Sequence, residues 1–222
     1  MSDITGELSM ISAARSLTEL GYVLVNWPRV HGKGPKTSWG GRSAASVAIS
    51  ENDNFGINHA LSGTCCLDVD DEVEAQRAFD VLGVSYDSLV SSAAPSWIGR
   101  PNRRKFLFRA PNPPLDVKKL VVKKEGKELT VFEFRGATEG KSVQDVLPPS
   151  IHPDTGAPYR WLTKPVSVSE LPSLPHQLEQ AWRNWEGPDG WGKRLAASLS
   201  SEQCATNAER DPQQPSLRSG VT

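Results

Sequence analysis

The 222 residues include only three cysteines, two methionines and three tyrosines. Cys65 and Cys66 are neighbours, which make a poor disulfide, and Cys204 stands alone. No CxxC pair or Cys/His cluster occurs, so neither a disulfide framework nor a zinc site is expected. Reduced thiols are expected instead, the first two packed in a strand. No apolar run approaches the ~18–20 residues that cross a bilayer. No basic segment leads into an apolar one near the start, so no secretory signal is read. A cytoplasmic chain without membrane contact is the expectation. The phosphate-loop pattern GxxxxGK(S/T) is missing, which excludes a P-loop motor in this chain. The GxSxG elbow is missing too, which leaves a Ser-His-Asp hydrolase unsupported. There is no internal repeat.

Apolar residues make up 37% and charged residues 23%, a globular rather than disordered balance. The net charge of −1 hides a strong asymmetry. Residues 100–127 hold ten Lys/Arg against Asp116 and Glu125, a local excess of +8. Residues 51–87 hold nine Asp/Glu against Arg77, a local excess of −8. An acidic centre beside a basic segment suits a metal-dependent enzyme that acts on phosphates. Two solvated surfaces would give the same counts.

The periodicity predicts a helix over 8–20, with Leu8, Ile11, Leu17 and Leu20 on one stripe, ended by Gly21. Strands are predicted at 22–25, 55–58, 64–70, 88–92, 105–109, 119–123, 129–135, 142–147 and 159–162. A helix is predicted over 71–82, with acids in its first turn and Gly83 beyond its end. Another covers 176–185, where Leu178, Ala181, Trp182 and Trp185 form one face. The expected architecture is α+β, a mostly antiparallel sheet with packed helices plus an N-terminal helix-strand unit. Residues 1–186 would form the domain. Residues 187–222 read as a polar, weakly ordered tail with a short helix near 193–199.

Leu67-Asp68-Val69-Asp70 is the sharpest local feature. Alternate strand residues share a face, so Asp68 and Asp70 point one way and Leu67 and Val69 the other. Paired carboxylates disfavour each other's ionisation, a conflict that a divalent cation removes. A solvated strand end is the plain alternative. Val131-Phe132-Glu133-Phe134-Arg135 repeats the pattern, so Glu133 is a candidate third ligand and Arg135 its support or a phosphate contact. An exposed cross-strand ion pair reads equally well. Lys105-Phe106-Leu107-Phe108-Arg109 follows a basic turn containing Arg100, Arg103 and Arg104, a junction able to hold a triphosphate. A basic, solvent-facing hairpin is again the alternative. In Pro148-Pro149-Ser150-Ile151-His152-Pro153 the prolines fix the backbone around Ser150 and His152. A hydroxyl and an imidazole held there suit phosphate or sugar contact.

Over residues 8–175 these features resemble, in order, the bifunctional primase-polymerase domain of the archaeo-eukaryotic primase superfamily, typical of phage and plasmid replication proteins. The resemblance rests on a helix and strand leading to Lys33-Gly34-Pro35-Lys36 and Trp39, on Asn54–Asn58 and Ser62-Gly63, and on Asp68-Val69-Asp70. It continues with Glu133-Phe134-Arg135-Gly136, Pro148–His152 and Tyr159-Arg160-Trp161. It implies an RRM-like sheet and template-directed nucleotidyl transfer. Asp68, Asp70 and Glu133 would hold two Mg²⁺ or Mn²⁺ ions and carry the catalysis. Lys105, Arg104, Arg135, Ser150 and His152 would bind the nucleoside triphosphate. Arg100, Arg103, Lys118 and Lys119 would bind the single-stranded DNA template. A replicative helicase on another chain, or on a further C-terminal region, is a possible partner. Many family members carry a histidine where this chain has Lys105, which can pair with phosphate as a point charge but cannot act as a neutral imidazole. Two other readings stay open: a non-catalytic DNA-binding relative in a replication initiator, and a metal-dependent nuclease.

Overall fold

A computed structural model describes residues 9–36, 38–39, 48–137 and 143–208, with side chains to residue 200. The chain begins with α1 (Met10–Glu19), capped by the Ser9 hydroxyl, which accepts the Ser12 N–H at 3.1 Å. Met10, Ala13, Ala14 and Leu17 form its buried face. It leads into β1 (Leu24–Pro28), then β2 (Asp53–Asn58), the single turn α2 (His59–Ser62) and β3 (Thr64–Val69). Next come α3 (Glu72–Val81), α4 (Tyr86–Val90), β4 (Ser96–Ile98), β5 (Arg104–Arg109), β6 (Lys118–Lys124) and β7 (Lys127–Arg135). The described chain closes with β8 (Gln144–Val146), β9 (Arg160–Thr163), α5 (His176–Arg183) and α6 (Trp191–Ala208).

The fold is α+β, and its named strands pair antiparallel throughout. Six strands form one sheet in the order β6-β7-β3-β5-β4-β9, and three form a second in the order β1-β2-β8. Strand alternation divides the core in two. Cys65, Leu67, Val69, Phe106, Phe132 and Phe134 face α3, α5 and α6 in one apolar layer. Cys66, Leu107 and Trp97, from the other face of the large sheet, join Val25, Trp27, Phe55 and Ile57 in a second layer. The N-terminal helix-strand unit is therefore completed by β8, from much later in the chain.

Several motif residues serve this docking. Asn54 and Ile151 exchange two hydrogen bonds of 2.9 Å, which ties β2 to the proline-flanked loop. Gly136 lies where a Cβ would overlap the Leu115 carbonyl and come within 2.8 Å of the Trp182 ring, so only glycine lets β7 end there.

Four segments depart from expectation, the first being α2, a helical turn where none was predicted. Residues 88–92 belong partly to α4, not to a strand: the Ser85 hydroxyl caps it, and Tyr86 and Leu89, one turn apart, are both buried. The three-residue β4 was not anticipated, because so short a run carries no periodic signal. The short helix expected near 193–199 is present but longer, as α6, and Leu195 and Leu199 are buried against the helical layer. The polar residues around those two leucines hide an i,i+4 apolar pair. Leu8, Ser142 and residues 209–222 lie outside the described residues.

Leu195→Ala should lower unfolding free energy by about 2–5 kcal/mol in urea melts, as burial in a packed layer requires. Val73→Ala on exposed α3 surface should stay within about 0.5 kcal/mol. Equal, small effects would show that α6 is not part of the core.

Candidate active site

One row of side chains crosses the large sheet. Pairing puts Lys119 of β6 opposite Glu133 of β7, Glu133 opposite Asp68 of β3, and Asp68 opposite Lys105 of β5. The row continues through Trp97 of β4 to Trp161 of β9, whose rings meet edge-on at 5.3 Å. Directly opposed like charges destabilise a sheet pair, whereas opposite charges stabilise it by about 0.2–1 kcal/mol. The Glu133–Asp68 juxtaposition is therefore unfavourable by itself, and flanking cations offset it. Lys119 Nζ lies 2.7 Å from Glu133 Oε1, Arg135 Nη1 lies 2.8 Å from Glu133 Oε2, and Lys105 Nζ donates to Asp68. Burial would raise the Glu133 pKa, but Lys119 and Arg135 prevail and hold it below the usual range.

Asp70 arrives differently from the expected alternation. Strand β3 ends at Val69, and the N–H groups of Asp70 and Asp71 both donate to the Val131 carbonyl, at 2.9 and 3.1 Å. Asp70 nevertheless lines the same cavity as Asp68, about 190 Å³ in volume. Burial, then the charge of Asp68, raises the Asp70 pKa, while Arg103 Nη1 at 2.6 Å opposes the rise.

Among the described residues, no three His, Cys, Asp or Glu side chains are drawn together as a ready cage for a metal. The donor chemistry still fits hard divalent ions. Asp68, Asp70 and Glu133 offer oxygens only, and two like charges sit opposite each other. Ion binding there requires these carboxylates to exchange Lys105, Arg103 and Lys119 for the metal.

The residues that sequence reasoning missed are Asp145 and His59. Asp145, on β8, is 2% exposed. Its Oδ1 accepts from Lys105 Nζ at 2.7 Å, and its Oδ2 accepts from Arg135 Nε at 2.9 Å and His59 Nε2 at 2.8 Å. Burial would raise its pKa, but Arg135 and Lys105 outweigh that and hold it ionised, well below the usual value. Burial likewise opposes the charge on Lys105, and Asp145 and Asp68 overcome it. His59 is buried with its pKa lowered, first by burial. A neutral ring donating from Nε2 to Asp145 leaves Nδ1 to accept the Thr64 hydroxyl at 2.9 Å. This Thr-His-Asp chain imitates a nucleophile triad, yet Thr64 is buried and open to no substrate. A lone acid between Gln144 and the apolar Val146-Leu147 was the one available signal for Asp145.

The cavity is also lined by Lys33 and Arg100, which are partly exposed, and by the buried His152 and Tyr159. The His152 ring nitrogens face two donors, Arg100 Nε at 3.1 Å and the Asp154 N–H at 3.2 Å. Arg100 also pairs with Asp154. Two expected contacts, Ser150 and Lys118, lie elsewhere, and Arg104 lines the cavity with its guanidinium turned away from it. The Ser150 hydroxyl is fully buried, accepting the Phe55 N–H at 2.9 Å and donating to the Phe55 carbonyl at 3.0 Å. It holds β2 and presents no surface to a nucleotide. The guanidinium of Arg104 lies 3.7 Å from Glu72 on α3, and that of Arg103 engages Asp70. Lys118 lies opposite Phe134, whose side chain faces the helical layer, and pairs with Glu186 at 2.8 Å. Lys105, Arg135, His152, Arg100, Arg103 and Lys119 do gather around the carboxylates.

A family profile described as bifunctional DNA primase/polymerase, N-terminal, matches residues 28–177. No curated protein matches the chain. The matched span contains β2 through β9 and every side chain of the carboxylate row.

Burial, then Lys33 and Arg100, brings the His152 pKa down to about 4. In the unfolded chain a histidine titrates near 6.5. Between those values the unfolded state holds more protons, so stability is full above about pH 6.5 and is lost as pH falls towards 4. His59 adds to the same trend. Thermal melts of His152→Gln should lose less stability than wild type across that window. Identical slopes would show that His152 titrates normally.

Proposed function

Because the chain belongs to the bifunctional DNA primase/polymerase N-terminal family, we propose that it performs template-directed nucleotidyl transfer in phage or plasmid DNA replication. The observation that carries this reading is Asp68, which stands directly opposite Glu133 in mid-sheet and shares one polar cavity with Asp70. A purely structural sheet gains nothing from two opposed carboxylates.

Asp68, Asp70 and Glu133 would hold two Mg²⁺ or Mn²⁺ ions. When bound, such ions supply Lewis acidity to the attacking 3′-hydroxyl and charge neutralisation to the pyrophosphate. The remaining steps belong to the chain's own side chains. Lys105, once Asp68 turns to the ions, offers its ammonium to the triphosphate from an Asp145 anchor. Arg100, in the same cavity, adds charge for the same phosphates. Arg135, bonded to Glu133, Asp145 and the Gln144 carbonyl, holds Glu133 in orientation. His152, neutral at working pH and 5.3 Å from the Tyr159 ring, lines the cavity and accepts from Arg100 Nε, so it would steady that guanidinium beside the nucleotide. Arg103 and Lys119, each about half exposed, would meet the template backbone. No helix among the described residues is long and apolar enough to cross a membrane. The expected setting is the cytoplasm, with single-stranded DNA, nucleoside triphosphates and a helicase on another chain.

Primer extension on a single-stranded template with Mg²⁺ or Mn²⁺ tests the reading. Asp68→Ala and Asp70→Ala should each lose at least about 100-fold in rate while still melting cooperatively, since even the neighbours of metal ligands are worth 10–100-fold. Tight DNA binding without extension or cleavage, unchanged by these substitutions, would mark a non-catalytic binding module. Degraded template would mark a nuclease. In a separate titration, Lys119→Ala should reduce the slope of log K against log salt by about 0.7 on single strands. An unchanged slope would remove Lys119 from the template path.

A further inference from the structure

Asp145 stands apart from the other acids. It belongs to the three-stranded sheet, is 2% exposed at the wall of the cavity, and both of its oxygens already accept from neighbouring side chains. A buried carboxylate is costly unless both of its oxygens find donors. Here Lys105, Arg135 and His59 are those donors. The arrangement is also asymmetric. Lys105 touches two carboxylates, and only one of them, Asp68, is placed among the candidate metal ligands. Any cation that takes over Asp68 leaves the ammonium with Asp145 alone. A lysine stem has four rotatable bonds, and an unanchored head spreads over many positions at an entropic cost of up to about 2 kcal/mol when it is ordered. Arg135 depends on the same carboxylate, so one buried side chain sets two cations at the cavity wall.

We infer that Asp145 is a positioning residue that holds Lys105 at the cavity wall for the triphosphate of the incoming nucleotide. The inference rests on the nucleotidyl-transfer reading and adds to it an anchor from the second sheet. His59 gives Asp145 Oδ2 its second hydrogen bond, at 2.8 Å, beside the one from Arg135.

The test is a double-mutant cycle read by equilibrium binding of dATP with Mg²⁺, beside binding of a single-stranded oligonucleotide. Asp145→Asn should weaken dATP binding about 10-fold or more, while oligonucleotide affinity changes less than about 3-fold. Lys105→Met should weaken dATP binding by a similar factor. In the Lys105→Met background, Asp145→Asn should then add less than about 2-fold, because the residue being positioned has gone. Should Asp145→Asn fail to fold, Asp145→Glu reads the same coupling: it retains the charge but moves it by one methylene. Additive effects of the two substitutions, with the same loss from Asp145→Asn whether or not the lysine is present, would reduce Asp145 to a structural role and overturn the inference. So would an unchanged dATP affinity. A wild-type chain that binds no dATP at all would fail the nucleotidyl-transfer reading itself, and the inference with it.

Discussion

A carboxylate in the middle of a sheet has to be met by a cation, and the central strand β3 places Asp68 there with another acid as its neighbour. The row Lys119, Glu133, Asp68, Lys105 is the arrangement on which the site depends. Its two outer lysines balance its two inner acids. The apolar positions between them, Leu67, Phe106, Phe132 and Phe134, bind the same strands to the helical layer. The packing that stabilises the sheet thus also keeps the charges in register: a one-residue slip of β5 or β7 would bury Lys105 or Glu133 among phenylalanines.

The second sheet does for the charges what the helices do for the apolar face. Strand β8 reaches over the row with Asp145, and Gly56 on β2 lets that strand approach, since a Cβ there would strike the Asp145 carbonyl. Lys105 and Arg135 are each shared between the sheets. Shared cations make the two layers one electrostatic unit, in which moving either sheet would strand a buried charge.

Much of this was legible beforehand, for identifiable reasons. Leu67-Asp68-Val69-Asp70 and Phe132-Glu133-Phe134-Arg135 alternate apolar and polar residues over four positions, and Lys105 and Arg109 flank Phe106 and Phe108 on the opposite face, so both the type and the facing of these strands could be read. The α3 helix announces itself with acids in its first turn and Gly83 at its end. What escaped notice depends on contacts distant in sequence. Ser150 looked like a ligand because nothing local reveals that its hydroxyl closes on the Phe55 backbone. Lys118 looked like a partner of Lys119, though neighbouring strand residues point to opposite faces. Asp145 sits on a three-residue strand, too short for any period, and its partners come from β5, β7 and α2.

The sheet order also bears on when the site can exist during synthesis. The three acids are all present once residue 133 has been made, but the three-stranded layer closes only when Val146 pairs with Gly56. Pairing at such separation is slow, because loop entropy is lost before contacts are gained. A nascent chain therefore carries its acids bare of the Asp145 anchor until late, and an unfinished chain has no assembled pocket for a nucleotide.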